Sequence, residues 1–174
     1  MKATGTIIRR SALTETSLIV HWCTVEMGLV KTVAKGARRP KSSFAGKIDL
    51  FYSGEIEVHV SKKSDLHTLK EVAISNSRLP LRRGYLPTLG AAYFAQLVDQ
   101  VAEPESPMPE IHDLLERGLN YLEQNDPDLR AVLHFEKQLA ECLGIREPGV
   151  DPFRSIEEVF GRLPKQREEL LGRI

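Results

Sequence analysis

Cysteine is nearly absent. The chain holds only Cys23 and Cys142, with no Cys-x-x-Cys pair. Two lone thiols exclude a disulfide framework, so nothing requires an oxidising compartment. Both are expected to be small buried hydrophobes, Cys23 in a strand and Cys142 in a helix. Long apolar runs are absent too, and none approaches the roughly 20 residues of a membrane-spanning helix. The opening MKATGTIIRRSALTE lacks a secretory signal's apolar core. A cytoplasmic location without a membrane partner is expected. Catalytic constellations are missing as well. No two of the five histidines have His-x-x-x-His spacing, and no Gly-x-Ser-x-Gly elbow occurs. Glu55 and Glu57 share a strand face, the pattern of solvated side chains rather than an acid/base pair. GARRPKS ends like a phosphate loop, but Pro40 precedes Lys41 where that motif needs a glycine N–H. The expectation is a protein that is not an enzyme and has no cofactor or metal.

Net charge is the last absence, with 24 basic and 24 acidic residues, and it conceals a division. Residues 1–85 hold fifteen Lys/Arg against seven Asp/Glu, a net of +8, and residues 86–174 hold nine against seventeen, a net of −8. Such asymmetry points to a nucleic-acid-facing half and a second half with other partners.

The basic half reads as strands. TSLIVHWCT (16–24) is β-branched and aromatic, GLVKTVAKG (28–36) follows a tight turn, and GEIEVHV (54–60) alternates cleanly. With GTIIRR (5–10) and LHTLKEVAI (66–74) there are five short strands and no long helical pattern between them, which suggests a small closed or nearly closed barrel. Pro and Gly cluster around residues 75–87, and the period then becomes helical. From Pro87, Leu89, Tyr93, Leu97 and Val101 keep a 3.6 spacing. Residues 110–123 form a second helix. Asp126 as N-cap, Pro127 at the first position and Gly144 beyond the end frame a third. Weak helical pieces, SIEEVF and KQREELL, lie in the charged tail. The expected fold class is α+β: a five-stranded N-terminal barrel over 1–80, then an all-helical domain over 81–174.

The positive charge concentrates in KTVAKGARRPKSSFAGK (31–47), which carries Lys31, Lys35, Arg38, Arg39, Lys41 and Lys47 and no acid. Basic residues on a strand and the loop after it can track a phosphodiester backbone. If all six engage single-stranded DNA, log K falls with log[salt] at a slope of about −4. Arg9 and Arg10 at the end of the first strand extend the patch. Trp22 shares a strand face with Leu18 and Val20 and reads as core. Phe44, in the loop, is the better stacking candidate than Phe51 or Tyr52. In the acidic half, Arg130, His134 and Lys137 at i, i+4, i+7 mark one helix face able to receive an acidic peptide.

GLVKTVAKGARRPKSSFAG resembles the bacterial recombination mediator family RecO. The likeness begins in GTIIRRSALTETSLIVHWCTVEMGLV and continues through IDLFYSGEIEV, AAYFAQLVDQ and HFEKQLAECLGI, covering roughly residues 1–146. It implies an N-terminal OB-fold followed by a helical domain, in a bacterial, nucleoid-associated protein of DNA repair and recombination. It also implies binding of single- and double-stranded DNA and annealing of complementary strands. RecR would assist in loading RecA on strands coated with single-strand-binding protein, whose acidic C-terminal tail would dock on the helical domain. Many RecO-like chains carry a four-cysteine zinc site after the segment matching CLGI. Here REPGVDPFRSIEEVF follows, so a short form without zinc is expected. Two other readings remain: a protein-interaction adaptor with reduced DNA binding, and an RNA-binding OB module.

Overall fold

The computed structural model describes residues 1–174. Five strands come first: β1 (Lys2–Ala12), β2 (Leu18–Thr24), β3 (Gly28–Ala34), β4 (Ser53–His59) and β5 (Leu66–Asn76). They close a barrel in the order β1-β2-β3-β5-β4, antiparallel except for the short β3–β5 pairing. This is an OB-like barrel. β1 closes it by pairing with β4 through Lys2–Thr6 and with β2 from Gly5 onward. The alternation expected for β4 is present, with Ile56 and Val58 inside and Glu55 outside. Ile7, Val20, Trp22, Val30, Ile56 and Leu69 form the heart of the barrel core. Trp22 is fully buried, and its indole N–H donates to Thr32 Oγ1 at 3.0 Å, so its polar edge is satisfied.

A 3-10 turn (Leu79–Arg83) precedes the helices α1 (Tyr85–Val101), α2 (Pro109–Gln124), α3 (Leu129–Cys142), α4 (Pro152–Phe160) and α5 (Gln166–Leu171). α3 starts later than the sequence pattern suggests. Its cap is Asp128, whose Oδ1 accepts from the Ala131 N–H at 2.7 Å, while Asp126 pairs with Arg83 at 3.1 Å. In DPD the second acid lies next to the first helical turn, so it reaches the free N–H groups. Gly144 stands just beyond the helix in the left-handed region, as its position suggests. Cys23 is buried, but Cys142 is exposed, because the last turn of α3 turns that position outward.

The chain divides into two compact units, residues 1–78 with 102–112, and 79–101 with 113–174. Nothing in the sequence pattern marks 102–112 as packing with the strands. The Leu29 N–H donates to the Glu103 carbonyl at 3.0 Å, and His112 Nε2 lies 3.5 Å from Thr6 Oγ1. Thr6 in turn meets Ser53 Oγ, which accepts from the buried Arg78 guanidinium. Gly28 makes the approach possible. Its φ is +67°, and a Cβ there would stand 2.1 Å from the Ser106 carbonyl oxygen. Gly28→Ala is expected to destabilise the barrel unit by about 2 kcal/mol, combining backbone strain with displacement of that segment. Thermal unfolding followed by Trp22 fluorescence checks it.

Candidate nucleic-acid interface

Strand register decides which cations stand together. His21 pairs with Arg9 on β1 and with Lys31 on β3, so Arg9, His21 and Lys31 form one row across three strands. Their neighbours Val20, Trp22, Val30 and Thr32 are buried, which puts the row on the outer face. Lys35, four residues beyond Lys31, follows the same strand parity just past β3. His21 was missed in reading the sequence. The tight turn carries the signal, because Thr24 opposite Gly28 makes every β2–β3 pair sum to 52, and 21 then faces 31. Arg9 could not be placed that way, since a bulge between Ile7 and Arg9 shifts the register.

Lys31 is not idle. Its ammonium donates to Asp65 Oδ2 at 2.9 Å. That hydrogen bond, reinforced by the Lys31 charge, holds the Asp65 carboxyl below its ordinary value. The contact therefore persists through the usual aspartate range and is lost only as pH falls through the lowered value. Exposed Lys62 and Lys63 stand beside Asp65 in the β4–β5 loop, a second basic element that the sequence reading passed over.

The rest of the basic segment is a succession of turns over 35–51. Arg38 ties it to the β1–β2 turn: its N–H donates to Thr16 O at 2.9 Å and its Nη1 to Thr14 O at 3.0 Å. Arg39 packs over Gly36. Lys35, Arg39 and Lys41 are exposed. Arg10 lies on the inward register opposite Val20, where the barrel opens. Its Nη1 donates to Ile48 O at 3.2 Å, and Nη2 is 3.5 Å from Asp49. Arg10 and Arg38 line one cavity of about 390 Å³. Lys47 is separate, in a cleft with Lys2 and Lys70 among Glu55, Glu57 and Glu71. Phe44 is not an open surface platform. It is 8% exposed and belongs to the barrel core, because the loop needs an apolar plug for the barrel's open end. Trp22 and Phe51 are buried as well, and Tyr52 is half-buried against the core.

In the helical unit, Arg130 and His134 line a cavity of about 420 Å³ together with Arg117 and the helix cap Asp128, whose carboxylate is engaged by the Ala131 N–H, while Lys137 stands outside it. The floor includes Phe94 and Phe135, stacked with centroids 3.9 Å apart and planes 5° from parallel. Arg117, unremarked in the sequence, is held by Asp113 at 2.8 Å one helical turn away. His134 and Glu136 stand in His-x-Glu spacing but serve different places. His134 lines the cavity, whereas fully buried Glu136 accepts from Tyr93 Oη at 2.6 Å and from Arg167 Nε at 2.6 Å. No group of His, Cys, Asp and Glu side chains is arranged to hold a metal ion. No helix is long and apolar enough to cross a membrane.

Two family models match the chain in tandem: Recombination protein O N terminal over residues 1–78, and Recombination protein O C terminal over 82–146. The chain belongs to the RecO family. Among curated relatives it is similar to the DNA repair protein RecO of Cyanothece sp., 34% identical over 160 residues, covering 84% of this chain and 54% of that protein. The DNA repair protein RecO of Bacillus cereus is 30% identical over 146 residues, covering 83% and 58%. The chain thus spans a little over half the length of these relatives. Residues 147–174, which include α4 and α5, lie beyond both matches.

Proposed function

We propose that this chain is a DNA-binding recombination mediator that acts in DNA repair without catalytic chemistry. The observation that carries the reading is the Arg9–His21–Lys31 row, followed by Lys35, Arg38, Arg39 and Lys41 in the adjoining loop, on an OB-like barrel of the RecO family. Cations of this kind engage phosphates of single- and double-stranded DNA without reading sequence. Two strands neutralised on one surface repel each other less, which favours annealing. Lys47, Arg10 and Phe44 contribute less to this non-specific electrostatic affinity. Lys47 is flanked by acids, Arg10 is partly neutralised by Asp49, and Phe44 acts as a plug.

For the helical unit the reading is partner recruitment. The Arg117, Arg130 and His134 rim over a Phe94–Phe135 floor suits a short acidic peptide with an apolar residue. The C-terminal tail of single-strand-binding protein has that chemistry, and cooperation with RecR to load RecA completes the proposal. The deciding experiment is annealing of complementary strands coated with single-strand-binding protein, with and without its acidic tail. Arg117→Ala combined with Arg130→Ala is expected to slow annealing of coated strands about tenfold and leave bare strands unaffected, since two charged contacts to a peptide are lost. Equal rates on coated strands would remove the assigned groove.

The adaptor reading draws on the acids that already occupy Lys31 and Arg10. Asp65→Asn separates the two. If Lys31 serves DNA, freeing it adds one phosphate contact, and affinity for single-stranded DNA rises about fourfold at physiological salt. A fluorescence-anisotropy titration reads this directly, and unchanged affinity favours the adaptor.

A further inference from the structure

The cavity between Arg10 and Arg38 is more than a gap between cations. It forms where the barrel is plugged. Ala12, Leu18 and Ala34 mark one strand end by their register, and the 35–51 loop turns Phe44 and Ile48 into the core above them. Between loop and strand ends remains a space of about 390 Å³, whose wall includes Leu18, Ala37, Phe44 and Ile48. That volume lies within the range of about 300–1,000 Å³ in which small planar ligands are held. The rim carries two guanidinium groups: Arg10 donates to Ile48 O and lies 3.5 Å from Asp49, and Arg38 donates to Thr14 O with no carboxylate in the lining.

A phosphate alone has no use for an apolar wall, and an apolar peptide side chain has no use for two arginines. A nucleotide of a flexible strand uses both, its base against the wall and its phosphates on the rim. Trp22, Phe44 and Phe51 are buried and Tyr52 is half-buried against the core, so the barrel unit offers no fully open Trp, Tyr or Phe face for bases. We propose that this cavity receives one unstacked nucleobase of a bound single strand, with the flanking phosphates on Arg10 and Arg38. The proposal rests on the DNA-binding reading and deepens it. The lining carries no carboxylate or side-chain amide; its neutral polar side chain is Ser11, whose hydroxyl donates or accepts and so suits any base edge, while both arginines are committed to phosphates. Duplex DNA, with its bases stacked and paired, gains nothing from the cavity.

The test compares substrates of equal charge. The full chain binds a short oligothymidine about tenfold more tightly than an abasic phosphodiester chain of the same length, the worth of one stacked base. Ala45→Phe fills the cavity without changing charge, since Ala45 is exposed on its lining. This variant loses the tenfold difference, keeps the salt slope and binds duplex as the parent does. Equal binding of the parent to both substrates overturns the proposal, and that comparison needs no variant. So does full oligothymidine affinity in a folded Ala45→Phe protein, or an equal loss on duplex. Competition by inorganic phosphate as effective as by deoxyadenosine monophosphate would make the cavity a plain anion site and also overturn it. Arg38→Gln/Arg39→Gln/Lys41→Gln separates the two levels. If it loses affinity while Ala45→Phe is inert, DNA binding stands and the base site falls. If it too is inert, the DNA-binding reading falls.

Discussion

Replacing Arg38, Arg39 and Lys41 together by glutamine is expected to weaken binding to single-stranded DNA about fiftyfold at physiological salt, and to flatten the log K against log[salt] slope by about two. The size follows from counterion release. Each phosphate neutralised on a single strand contributes about 0.7 to the slope, worth about fourfold at that ionic strength, and three contacts multiply. These side chains suit the test because none is in the barrel core. All three are exposed, and of the three only Arg38 makes a side-chain hydrogen bond in the structure, one to Thr14 O. Glutamine keeps length and polarity, so a loss of affinity is a loss of charge. A salt titration of fluorescence anisotropy supplies both numbers. Unchanged affinity and slope would refute the assignment of the basic loop. Replacing Lys47 alone should cost less than an average contact, because its cleft, shared with Lys2 and Lys70, also holds Glu55, Glu57 and Glu71, which offset the three ammonium charges.

Glu136→Ala is expected to destabilise the helical unit by about 3 kcal/mol, near the low end of what breaking a buried ion pair costs. Glu136 is fully buried in α3 and accepts from Tyr93 of α1 and, through both oxygens, from Arg167 of α5. Removing it orphans a buried hydroxyl and leaves a largely buried guanidinium without its counter-ion. The low end applies because Arg167 retains its place over the Phe153 ring, 4.2 Å from the centroid, and some access to water. Glu136→Gln keeps an acceptor for Tyr93 and should cost about half as much. Urea unfolding followed by far-UV circular dichroism measures both. A Glu136→Ala protein within 1 kcal/mol of the parent would mean the network is not what holds α5 to α1 and α3. The same site makes the unit sensitive to alkali. Burial, with Glu136 beside it, raises the Tyr93 hydroxyl far above its ordinary value of 10.0. Burial works against the Arg167 charge, yet the Glu136 hydrogen bond and charge outweigh it and raise that group as well. A raised value in the folded state means stability that is present below the unfolded tyrosine's pKa and declines as pH rises above it. Stability should therefore fall above about pH 10, where the unfolded chain releases a proton that folded Tyr93 keeps.

How far the sequence carries can be judged element by element. β2, β3 and β4 lie within a residue or two of the segments read from β-branched content, a tight turn and alternation, because each of these signals is local. β1 and β5 run longer than read, to eleven residues each. Lys2–Thr4 pair with β4 where the barrel closes, Ser11 and Ala12 extend the ladder with β2, and Asn76 pairs with Ser53, and hydrogen bonding to a partner strand leaves no trace in local composition. α2 matches its apolar spacing closely, whereas the cap of α3 was placed on the wrong aspartate of DPD. The cationic residues were all visible, but their grouping was not. Phe44 looked like a loop aromatic free to stack, and it serves as the barrel's plug. Lys47 looked like part of the basic tract, and it faces acids from β4 and β5.

What the chain determines by itself is chemistry that depends on counting and spacing. It has too few thiols for a disulfide framework, no apolar run long enough to span a bilayer, a charge division of +8 and −8, five short strand-like segments and then helices. Only the tertiary structure decides which cations share a face, which are answered by carboxylates, and that a cavity of about 390 Å³ opens between Arg10 and Arg38. The reason is physical. Hydrophobic periodicity is local and written residue by residue, whereas charges act on whatever lies within a few ångströms, and closing a barrel brings together residues tens of positions apart.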